Sequence, residues 1–351
     1  MIYRLSSFGF LYSATDDAPG NVGIWDQALA LEWVNDNIKY FGGDPNRITI
    51  MGMSAGSWSV SLLIMSPITR NMFRNAVMQS AAVTNNIING EPKDRLREWL
   101  KGAHLIGCND QMLTEFTPEV MQCLKTVDPN KLVVIPELPE LRYRSIRPSF
   151  SLIVVDGQLL PKKPTDMLRT GNFKQNINLM VSTAADEGSL ALSRWFDTET
   201  YHSLTPKILT FNEAFDEFER ISSNSSQEIN INGTEAAKLY FTGLSNSTDP
   251  DLLRRTVGIG LGDYFIGCPT LEFAKQVFRN SGFKSNVYQY HYNSKIVGNG
   301  SLFAKWWGPS HAEDYPATFG LPLKRPQDFS DRDRDITLQM IDFITSFAKN
   351  E

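Results

Sequence analysis

The apolar positions of this chain fall into two kinds of stretch, short continuous runs and longer segments at helical spacing. Residues 26–40 carry Ala28, Leu31, Val34 and Ile38, with Leu29 and Trp33 alongside, which predicts a helix with one buried face and Trp33 in its core. Gly42-Gly43-Asp44-Pro45 should end that helix, because glycine suits the residue after a helix and proline cannot continue one. Residues 47–51 read as a short buried strand and 57–65 as a second helix. Residues 178–183 and 286–292 read as later strands, the second of them alternating, and 337–349 as a C-terminal helix. Residues 83–150 look helical and connecting, 150–192 return to the sheet, and about 193–283 form a helical cap-like region within one unit spanning 1–351. Strands alternating with helices predict an α/β fold, with a mostly parallel central sheet covered by helices on both faces.

Composition narrows the function classes. The 351 residues are 42% hydrophobic and 21% charged, enough to bury a large core. A net charge of −5 gives no reason to expect nucleic acid or an acidic membrane surface as partner. No apolar run reaches the roughly 18 residues of a transmembrane segment. No repeat of fixed period and no leader are visible. None of the three cysteines forms a Cys-x-x-Cys, so no zinc site is expected, and no cofactor is called for.

Between the first strand and the second helix lies Gly52-Met53-Ser54-Ala55-Gly56. Strand, Gly-x-Ser-x-Gly, helix is the nucleophile elbow of α/β hydrolases. The tight turn needs glycine at positions 52 and 56, where a Cβ would crowd the chain, and it lifts the Ser54 hydroxyl above the sheet. It also leaves the Ala55 N–H at a helix N-terminus, where it can donate to a developing oxyanion. A serine needs a base, and the base an orienting acid, in the chain order Ser, Asp or Glu, His. Of the four histidines, His104 sits beside a helix, His202 in a polar region and His291 on a strand. His311 lies in a loop, Gly308-Pro309-Ser310-His311-Ala312-Glu313-Asp314, and suits the base by order and context. Ala185-Asp186-Glu187-Gly188 follows the 178–183 strand and offers two candidate acids, Asp186 and Glu187.

From Tyr3 to Ser80 the chain resembles the type-B carboxylesterases, the family that includes the cholinesterases. The resemblance rests on Tyr3-Arg4-Leu5, Ala18-Pro19-Gly20-Asn21-Val22-Gly23, Asp26-Gln27, Ala30-Leu31-Glu32-Trp33-Val34, Phe41-Gly42-Gly43-Asp44-Pro45, the elbow, Ser66-Pro67 and Gln79-Ser80. Landmarks such as Asp156-Gly157, Leu160-Pro161 and Phe319-Gly320-Leu321-Pro322 extend it to about Leu323. It implies the α/β-hydrolase fold, a small-molecule ester substrate, Ser54 as nucleophile, His311 as base and Glu187 as acid, with Asp186 as the fallback. It also matches Ser80 to a serine close to the acid; a capping role at an element end is the alternative. A general carboxylesterase, a cholinesterase-type hydrolase and a non-catalytic, neuroligin-like adhesion protein are the three readings that it leaves open. The oligomeric state stays open as well.

Three departures stand out. Met53 replaces a glutamate, and Ala312-Glu313-Asp314 replaces the usual Gly-x-Glu, so support from that carboxylate would come from the shorter Asp314. The family also has a segment ahead of Tyr3 with a glycine-rich oxyanion loop, so this chain is expected to lack the N-terminal strands of the sheet. The family pattern further implies a Cys108–Cys123 disulfide and leaves Cys268 a buried free thiol. Asn224, Asn232, Asn246 and Asn299 head Asn-x-Ser/Thr sequons, acceptors for glycosylation. With the disulfide they point to a secreted or extracellular protein, or one of the ER lumen.

Overall fold

The structure is a computed structural model that describes residues 1–84, 91–109, 113–138, 140–141, 153–223, 231–297 and 303–350. At its centre is a four-stranded sheet in the order β1 (Thr49–Met53), β2 (Asn75–Gln79), β3 (Asn178–Ala184), β4 (Asn286–Tyr292). All three pairings are parallel, with Met51 beside Val77, Val77 beside Met180 and Met180 beside Tyr288. β2 and β3 are buried along their whole length, as parallel strands covered on both faces must be.

The period of two decides which side chain meets which layer. Ala76 and Met78 of β2, with Leu179 and Val181 of β3, face the main core. There they join Leu62 and Ile64 of the Ala55–Met65 helix, Ala28 and Leu31 of the Val22–Asn37 helix, and Phe273 and Val277 of the Cys268–Asn280 helix. Val77 and Met180 point the other way, onto Phe347 of the Asp331–Asn350 helix. That last helix starts at a reciprocal cap: the Asp333 N–H donates to Ser330 Oγ at 3.2 Å, and the Ser330 N–H donates to Asp333 Oδ2 at 3.0 Å.

A second apolar cluster lies among the Phe211–Ser223, Gly233–Tyr240 and Pro250–Gly262 helices, and contains Phe218, Phe241, Val257 and Leu261. Trp306 and Trp307, just upstream of His311, are buried in the same cluster. The helical region of 193–283 is therefore divided in its packing, because its last helix joins the core under the sheet. Among the described residues no helix is long and apolar enough to cross a membrane.

Two local expectations are corrected. Trp33 is 55% exposed and packs on Phe41 with ring centroids 6.0 Å apart, because the buried stripe of its helix runs through Ile24, Gln27, Ala28 and Leu31. Cys268 is exposed, not buried, at the start of the Cys268–Asn280 helix. Cys108 and Cys123 are joined, with Cα atoms 5.4 Å apart.

Candidate active site

β1 ends at Met53, and the next residue turns the chain into the Ala55–Met65 helix. Ser54 makes that turn at φ 55° and ψ −119°, a conformation that L-residues avoid and that persists only where its surroundings impose it. Gly52 is one reason the turn closes: a Cβ there would lie 2.1 Å from the Gly56 carbonyl oxygen. Gly56 differs from the expectation, since a Cβ there would meet nothing within 4 Å among the described residues. The Ser54 N–H is tied to the end of β2 through the Gln79 carbonyl at 2.8 Å. Ala55, the first residue of the helix, is exposed at its N-terminus.

β3 leads into the candidate acid. Three residues beyond its end, Glu187 is buried, and its Oε1 accepts from the Ala184 N–H at 2.6 Å. Its Oε2 lies 2.7 Å from His311 Nδ1, and His311 Nε2 lies 2.7 Å from Ser54 Oγ. A carboxylate can only accept, so Nδ1 carries the proton and Nε2 is left to accept from the serine hydroxyl. Ser54, His311 and Glu187 thus form one continuous hydrogen-bonded chain at the carboxyl edge of the sheet. The other histidines are engaged elsewhere: His104 with the Asn109 carbonyl, His202 with Thr205, and His291 with Thr183.

Asp186 has other partners. Fully buried, it accepts from Ser189 Oγ at 2.8 Å and from the Gly308 N–H at 2.8 Å, and it pairs with Arg255 at 3.4 Å. Its own N–H donates to the Pro309 carbonyl at 2.8 Å. It therefore ties the acid loop to the chain just before His311. Burial pushes its carboxyl upward against the pull of these donors.

Asp314 is also buried, and its Oδ2 accepts from Gln79 Nε2 at 2.9 Å and from the Tyr290 hydroxyl at 3.2 Å. Desolvation, with the Glu187 charge second, raises it to about 6. Ser80 follows β2 at φ 57°; its N–H donates to the Ser182 carbonyl at 2.9 Å, and its hydroxyl caps no element end among the described residues.

Sequence reasoning missed one contributor, the glycine face of the Pro250–Gly262 helix. A Cβ on Gly188 would lie 1.9 Å from the Gly258 carbonyl oxygen, and one on Gly262 would lie 2.8 Å from the Glu187 Cβ. The acid loop rests directly on helix backbone. Gly258-Ile259-Gly260-Leu261-Gly262 was the available signal, because glycines four apart on a helix mark a close approach.

A parallel sheet bearing a strained strand-to-helix serine, with a buried acid after one later strand and a histidine after the next, defines an α/β hydrolase. The chain belongs to the Carboxylesterase family, whose signature matches residues 1–351. It is 32% identical over 99% of its length to an acetylcholinesterase of Leptinotarsa decemlineata. It is 29% identical over its full length to acetylcholinesterase-1 of Trittame loki, and 29% over 99% to an acetylcholinesterase of Electrophorus electricus. The chain spans 54%, 61% and 57% of the lengths of these three relatives.

Proposed function

We propose that this chain carries the catalytic machinery of a serine ester hydrolase acting on small carboxylic esters. The observation that supports it best is the unbroken relay from Ser54 through His311 to Glu187, with 2.7 Å at each step. In this reading His311 Nε2 takes the Ser54 proton as the hydroxyl oxygen attacks the ester carbonyl. Glu187 holds the imidazole in the reactive tautomer and stabilises the imidazolium that forms. The Ala55 N–H, at the positive end of the Ala55–Met65 helix, donates to the oxyanion. His311 then protonates the leaving alcohol. Water attacks the acyl-enzyme with His311 again as base, and Ser54 is regenerated.

A choline ester is the second reading for the substrate, favoured by the acetylcholinesterases to which the chain is similar. The adhesion-protein reading is disfavoured by the presence of all three relay residues. The disulfide and the sequons support a glycosylated protein of the secretory route. Asn232 and Asn246 are exposed, while Asn224 and Asn299 lie outside the described residues. The test is a fluorophosphonate probe on the natural protein, which should label Ser54. Labelling that survives Ser54→Ala would remove this assignment.

A further inference from the structure

We infer that Glu313 is a positioning residue for His311, a buried carboxylate that holds the histidine loop closed through two backbone amides on two separate segments. The inference rests on the reading of His311 as the base. Ser310-His311-Ala312-Glu313 is a single turn, closed by the Glu313 N–H donating to the Ser310 carbonyl at 3.0 Å. Its third residue, Ala312, sits at φ 71°, a value that this position of a type II turn demands and that glycine supplies without strain. An alanine there relaxes unless something holds the turn.

The Glu313 side chain supplies the hold. Its Oε2 accepts from the Ser310 N–H at 2.8 Å, so residues 310 and 313 are bonded in both directions across His311. Its Oε1 accepts from the Ile296 N–H at 2.7 Å, on the segment leaving β4. The neighbouring Lys295 ammonium donates to the Ala304 carbonyl at 2.8 Å and the Lys305 carbonyl at 3.1 Å, and also to the Trp307 carbonyl. The Lys295-Ile296 pair thus grips the chain on both shoulders of the histidine loop, and Glu313 is one of its two hands. Glu313 is completely buried, so water cannot replace either bond.

The bonds need the ionised form, because a protonated carboxyl turns one acceptor into a donor that faces an amide N–H. Burial raises Glu313 to about 7, against the two amides and Lys295. The groups around it are Lys295 and Tyr292 from β4 and its exit, Asp186 from the end of β3, Arg255 from the Pro250–Gly262 helix, and His311 and Asp314 on its own loop.

Two readouts test this on the natural protein. The first is hydrogen exchange of the Ser310 and Ile296 amides, corrected for intrinsic rates. Protection of both amides should be lower in Glu313→Gln, whose side chain can accept through only one atom. The second is the rate of fluorophosphonate labelling at Ser54. Glu313→Gln should lower it about 10- to 100-fold. Adding Ala312→Gly, which relieves the turn, should restore part of the loss. Exchange unchanged by Glu313→Gln overturns the clamp. Loosened amides with undiminished labelling overturn the positioning role. If Glu313→Gln alone does not fold, the Ala312→Gly double variant takes its place, and an Ile296 amide there as protected as in Ala312→Gly alone overturns the clamp. Labelling that survives Ser54→Ala overturns the triad reading and the positioning role, while the exchange data still judge the clamp.

Discussion

Gly188→Ala is the sharpest perturbation of the acid loop, because it changes no charge and touches no group of the relay. The added methyl would sit 1.9 Å from the Gly258 carbonyl oxygen and 2.6 Å from the Gly262 N. Both are backbone atoms of one helix and cannot rotate aside. Ordinary contact is about 3.5 Å, so the acid loop or the helix must move by roughly 1.5 Å. Glu187 is the adjacent residue, and its 2.7 Å bond to His311 does not survive such a shift. A misplacement of about 1 Å can cost about 100-fold in rate, and overpacking costs about 1–3 kcal/mol of stability. The assay pairs the rate of fluorophosphonate labelling at Ser54 with thermal unfolding of the same sample. The expectation is a rate loss of about 100-fold or more with a fold that still unfolds cooperatively. A variant that labels within threefold of the parent, at ~3 being far inside the loss expected for a 1 Å shift, would refute the claim that the helix backbone positions the acid.

Four further outcomes follow from the site and its surroundings. Glu187→Gln and His311→Ala should each lower ester turnover by about 10³-fold or more, and combining them should add little, because the relay acts as a unit. Gly52→Ala should abolish labelling while Gly56→Ala keeps it, since only the first Cβ meets backbone among the described residues; equal effects on labelling would contradict that contrast. Replacing Cys108 and Cys123 by serine should cost about 3 kcal/mol in denaturant unfolding for a loop of 15 residues, and Cys268 alone should react with maleimide in the native protein. Glu313, raised from 4.5 to about 7, contributes stability that is present below pH 4.5 and lost as pH rises through 7. Glu313→Gln should therefore flatten the stability profile over that window by about 3 kcal/mol, measured by urea unfolding at several pH values.

The fold was legible where period and punctuation agreed. The first, third and fourth strands, the helices on either side of the elbow and the elbow itself were readable, and the relay residues that order along the chain selected do meet; the fully buried Asn75–Gln79 strand was not read, and the first strand, expected buried, is half-buried. Boundaries were less legible. The first strand begins at Thr49, two residues later than its apolar run, because Asp44 accepts from the Asn46 N–H at 2.8 Å and winds Pro45–Arg47 into a short 3-10 turn. Trp33 misled because helical spacing says which residues share a face and not which neighbour covers it. The roles of Asp186, Glu313 and the Gly258–Gly262 face were hidden for a different reason. Each depends on which backbone amide or carbonyl of a distant segment lies opposite, and no local pattern encodes that.

The order of the strands has a consequence for the chain as it is made. The sheet runs β1 to β4 in sequence, so Ser54 is synthesised first and His311, 257 residues later, is the last member of the relay to appear. At about 5–20 residues per second, roughly 10–50 seconds of translation separate them. Throughout that interval the nascent chain holds Ser54 without His311, so on the reading proposed above a partly folded intermediate lacks the base that an attack on an ester would need. The hydrogen-bonded relay is assembled only once the segment that follows β4 has been made.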